Sequence, residues 1–99
     1  MITAIKRPEF INIPMDVAGT CLQGNINTSY RRLVETFGEP TLTDSEDGKT
    51  QVEWHIAFTD GVIATIYDWK QTTNPDSVRE WHIGGHSMAS VINVVDCIV

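Results

Sequence analysis

The sequence predicts an α+β domain, an antiparallel sheet of three to four strands carrying two helices, in the order strand, helix, three-strand meander, helix. Three observations lead there. The stretch QVEWHIAFTDGVIATIYDW alternates apolar and polar residues on both sides of Asp60-Gly61, a pair preferred in tight hairpin turns. SYRRLVETFGEP repeats apolar residues at helical spacing before Gly38 and Pro40. After REWHI, Ser87 opens a second apolar run long enough for a closing helix.

The chain has 99 residues, 41% hydrophobic and 20% charged, which suits one domain with one small core. Residues 1–18 read as an N-terminal arm, because Pro8 and Pro14 flank the short alternation FINI and permit at most a brief edge strand. Residues 19–99 form the single α+β domain. TCLQGNI is a weak strand that runs into a helix start, with Asn27 or Thr28 as N-cap. Tyr30, Leu33, Val34 and Phe37 then fall at i, i+3, i+4 and i+7 on one helix face. TLTDSEDGKT is a solvated turn and lacks the ligand run of a calcium loop.

A two-residue turn at Asp60-Gly61 pairs Phe58 with Ile63, Ile56 with Thr65, Trp54 with Tyr67 and Val52 with Trp69. That register buries Trp54, Ile56, Phe58, Ile63 and Tyr67 on one side and leaves Val62, Ala64, Ile66, Asp68 and Lys70 on a mixed face with Glu53 and His55. A third strand over 79–83 adds Trp81 and Ile83 to the core face and Glu80 and His82 to the mixed one. The last helix is expected to turn Met88, Val91, Ile92, Val95 and Ile98 or Val99 toward the sheet.

A formal charge of −6 disfavours binding to a nucleic-acid backbone and suits a basic protein partner. No secretory leader or membrane-length apolar run is read in the sequence, so a cytoplasmic protein is expected, with Cys21 and Cys97 as two buried thiols. Small size and the apolar part of the mixed face favour a homo-oligomer.

Candidate sites centre on IYDWKQTTNPDSVREWHIGGHS. Gly84 and Gly85 end a strand before the helix cap at Ser87, where backbone N–H groups and the helix dipole suit an anion. Trp69 or Trp81 would stack on the flat part of such a ligand, and Arg79 would neutralise charge. Glu53, His55, Asp68, Lys70, Glu80 and His82 on the mixed face suggest a metal-dependent hydrolase as another reading, although solvated faces ordinarily carry such residues. Glu53 opposite Asp68 is the odd feature there, since like charges across strands repel. No catalytic motif is present, so no enzyme, metal or cofactor is predicted.

DG-x-x-ATIYDWK followed by W-x-IGG, with the upstream helix and FGEP, resembles a family of small uncharacterised proteins of tailed bacteriophages over residues 19–99. The resemblance implies a viral setting rather than a mechanism. Small acidic phage proteins without catalytic motifs are similar, as a class, to anti-CRISPR and related anti-defence inhibitors that bind a host defence protein. An alternative in that class is an oligomeric sponge sequestering a nucleotide immune signal.

Overall fold

The computed structural model describes residues 8–71 and 73–98; the first seven residues of the predicted arm and Val99 lie outside the described residues. The elements are β1 (Phe10–Asn12), β2 (Cys21–Asn27), α1 (Tyr30–Phe37), β3 (Leu42–Thr43), β4 (Val52–Phe58), β5 (Ile63–Tyr67), β6 (Glu80–Gly85) and α2 (Ala89–Ile98), with a 3-10 turn at Pro75–Ser77. All ladders are antiparallel, in the order β1-β4-β5-β6-β2, with β3 beside β1 on the outer edge of β4. The fold is α+β, as the sequence predicts. Its sheet has six strands rather than three to four, because the short segments FIN and LT add themselves to β4.

Helix α1 starts at Ser29, whose hydroxyl accepts from Arg32 N at 3.0 Å. Thr28 does not serve as cap because its backbone is committed to the sheet: its N–H donates to Arg79 O (2.8 Å) and its carbonyl accepts from Trp81 Nε1 (3.0 Å). At the other end Gly38 takes a φ of 89° and donates to Val34 O at 2.8 Å, a conformation that favours glycine. The helix buries Leu33 and Phe37 against the sheet.

The hairpin exists, but its register differs from the expected one by a single residue. Gly61 N donates to Phe58 O (3.0 Å) and Phe58 N to Val62 O (2.8 Å), so the loop is Thr59-Asp60-Gly61. Only Gly61 of these has positive φ, 90°, which is the three-residue turn with a glycine bulge rather than the two-residue turn. Trp54 therefore faces Ile66, Ile56 faces Ala64 and Glu53 faces Tyr67. Side chains alternate along a strand, so this slip reverses both faces of β5. Ala64 and Ile66 are core, whereas Ile63 and Tyr67 lie half-buried on the other face.

Both helices cover one face of the sheet. Trp54, Trp81 and Tyr30 cluster beneath them, the two indoles edge to face at 5.6 Å, with Trp54 Nε1 donating to Gly38 O at 2.9 Å. α2 is rotated from the expected orientation: it buries Ser90, Val94 and Cys97, with Val91 and Ile98 beside them, and exposes Met88 and Ile92. Glycines opposite explain the rotation. Ser90 enters where Gly85 has no side chain and donates to Ile63 O at 2.6 Å, and Val91 sits over Gly24. A count of apolar residues misses a helix anchored by a serine.

Candidate functional site: the uncovered half of the sheet

β1 and β2 lie at opposite edges of the sheet, so the chain between them must cross it. Residues 13–20 do so over the helix-free face. Ile13 N donates to His55 O (3.2 Å), and Met15 N donates to His55 Nδ1 (3.4 Å). The strap leaves His55 and Thr65 only 3% and 4% exposed. With Nδ1 accepting, the ring proton resides on Nε2, which donates to Glu53 Oε2 at 2.5 Å.

Below the strap one row stays open, running from Leu42 through Glu53, Tyr67 and His82 to Asn25 across successive strands. Tyr67 meets His82 edge-on at 5.5 Å and Trp69 edge-on at 6.2 Å. Trp69 is 39% exposed, and the ammonium groups of Lys49 and Lys70 each lie 5.6 Å from its ring centre. Glu53 also borders a groove of about 330 Å³ lined by Leu42, Thr43, Asp44, Glu46 and Thr50. Aromatic surface and acidic groove are thus continuous through one carboxylate. Burial first, then Glu53 and Cys21, push the Tyr67 phenol above its ordinary value; Cys21 is exposed here, at the open edge of the sheet, rather than buried as the sequence predicts.

The expected ligand residues are not brought together. Trp69 is on this face, but Trp81 is fully buried among the core aromatics and offers no ring face to a ligand. Gly84 and Gly85 are ladder residues of β6, not a turn, and neither has positive φ. They are glycines because of close neighbours. A Cβ on Gly84 would lie 2.5 Å from Thr65 Oγ1 and 3.6 Å from the Tyr67 ring, and one on Gly85 would overlap Ser90 Oγ and lie 2.6 Å from Ser90 Cβ. Ser87 accepts from Ala89 N (3.2 Å) at the start of α2, and the Arg79 guanidinium donates to the carbonyls of Asp76 (3.1 Å) and Val78 (3.3 Å).

The polar cluster is divided as well. Asp68 points to the helix side, fully buried, and accepts from Gln51 N (2.9 Å), Val52 N (3.0 Å) and Gln51 Nε2 (2.8 Å). The supposed repulsion between Glu53 and Asp68 does not arise, since Tyr67 stands across from Glu53. Among the described residues no three His, Cys, Asp or Glu side chains gather as a metal-ligand set, and no helix is long and apolar enough to cross a membrane.

Sequence reasoning assigned Tyr67 to the core and passed over Leu42 and Lys49. The glycine at the end of TDG was the available signal, since it permits the three-residue loop that brings Tyr67 to the open face. Comparison with family models, with curated proteins and with solved structures finds no match.

Proposed function

We propose that this chain is a phage accessory protein that acts in the host cytoplasm by binding a host defence protein, not by catalysis. Its contact surface is the open row around Tyr67, Trp69 and His82 with the adjoining acidic groove. The observation that carries the reading is the continuity of an exposed tryptophan and a half-buried tyrosine with a groove bordered by Asp44, Glu46 and Glu53. Tryptophan and tyrosine are the commonest anchors of protein interfaces. The groove suits an arginine or lysine of the partner, its stem on Leu42 and its charge among the carboxylates. The net charge of −6 favours encounter with a basic protein.

The nucleotide-sponge reading has less support, because Gly84 and Gly85 are sheet residues and Trp81 is core. The hydrolase reading loses Asp68 to the helix side, while Glu53 and His55 bond to each other.

The test is phage plating on hosts that each carry one defence system and express the protein. The wild type should restore plating on at least one host, and Trp69→Ala or Glu46→Lys should weaken the gain roughly tenfold or more while the fold is retained. If the wild type restores plating on none, or both variants act as the wild type does, the reading is wrong.

A further inference from the structure

All formally charged residues of the chain lie outside two stretches, VAGTCLQGNINTSY (17–30) and WHIGGHSMASVINVV (81–95). The first contains β2, the second most of β6 and α2, and the fold places them together on one flank. In a molecule of net charge −6, the strand and most of the helix on this side thus carry no formal charge of their own, and Glu80, across from Asn27, stands at one end of it.

That side ends in a strand edge. β2 runs seven residues, pairs with β6 alone among the described residues, and contains neither a charge nor a proline. Thr28 N bonds to Arg79 O, so by the alternation of an antiparallel ladder Ile26 and Gly24 point their backbone groups toward β6 while Asn25 and Asn27 point theirs outward. The opposite edge is built of strands of three and two residues, a common defence against edge pairing. The bulge between Leu22 and Gly24 confines regular pairing on β2 to its second half.

α2 presents a matching apolar ridge. Val91 rests over Gly24 of β2, and Asn93 on the far flank of the helix reaches Asp60 at the hairpin tip, at 3.0 Å. Met88, Ile92 and Val95 continue around the helix from Val91 toward solvent, with Met88 54% and Ile92 55% exposed and Met88 at the end of the helix that lies over β6 and β2. Neither the core nor the strap uses them.

We infer that this flank is the interface of a homodimer, in which β2 pairs antiparallel with β2 of a second copy about a two-fold axis and the two α2 ridges pack together over the junction. A strand paired antiparallel with itself is self-complementary under a two-fold, as such an interface requires. The strand is about 23 Å long and the sheet and helix layers together about 20 Å deep, a strip of about 460 Å² per partner, the size of a small interface that dissociates on dilution rather than the roughly 800 Å² of a permanent one. The dimer would extend the sheet through both copies and leave the Trp69 face of each open.

Sedimentation equilibrium and amide exchange test this. The wild type should sediment as a dimer that dissociates on dilution, with the Asn25 and Asn27 amides protected in the dimer and released with it. Ile92→Lys and Met88→Lys should weaken association tenfold or more and leave a folded monomer, whereas Ile11→Lys at the opposite edge should leave the mass unchanged. A wild type that is monomeric at submillimolar concentration overturns the inference. So does a dimer unaffected by Ile92→Lys, one dissociated by Ile11→Lys, or one whose Asn25 and Asn27 amides exchange freely.

Discussion

Tyr67 stands directly across the ladder from Glu53, and its ring meets His82 of the next strand edge-on at 5.5 Å. The phenol is pushed up by burial, then by Glu53 and Cys21. Tyr30 is pushed up by burial, then by Glu39 and Asp76. These are the chain's two tyrosines. In the native protein, tyrosinate absorbance should therefore rise wholly above the ordinary value of about 10, and denaturant should bring both groups back to it. Both hold their protons more tightly when folded, so their contribution to stability is complete below the unfolded value and is lost as pH rises through the folded one. A native titration step at the ordinary value would contradict this environment.

Trp54→Ala should cost about 3 to 5 kcal/mol in a denaturant titration. The side chain is fully buried, packs on Trp81 and Tyr30, and ties the end of α1 to the sheet through Gly38 O. An unshifted midpoint would mean that this cluster is not the centre of the core.

Gly85→Ala should destabilise by about 1 to 3 kcal/mol, because its Cβ would collide with Ser90 on α2. Ser90→Gly removes the colliding atoms, so the double variant should be more stable than the two single losses added together predict. Additive losses in thermal melts would show that the two residues do not meet.

Asp68→Ala should cost about 2 to 4 kcal/mol, since it strips acceptors from the amides of Gln51 and Val52 at a fully buried position. Asp68→Asn, which keeps one carbonyl oxygen, should cost less. Equal melting temperatures for the wild type and Asp68→Ala would place the carboxylate in solvent instead.

Gly61→Ala should cost about 1 to 2 kcal/mol through its φ of 90° alone, as nothing lies within 4 Å of the added Cβ. Asp60→Gly, by contrast, loses the bonds to Val62 N and Asn93 without that strain. If Gly61→Ala is neutral in chemical denaturation, residue 61 does not hold the positive φ that the glycine-bulge loop requires.

By itself the sequence determined the α+β class, helix α1, the existence of the hairpin and the burial of Trp54, Ile56, Phe58 and Trp81. Each rests on local signals, such as the spacing from Tyr30 to Phe37, the Gly38 cap and the alternation in VEWHIAF. Tertiary structure alone decided which face of VIATIY is inside, because that segment is largely apolar at both parities and its neighbours on the ladder must choose. It also decided the rotation of α2, another segment apolar on more than one side, through the space that Gly85 leaves for Ser90. The open site followed from both choices and from the strap: Tyr67 reached the surface by a one-residue register, and residues 13–20 covered His55 while sparing Trp69, through contacts between residues distant in the chain.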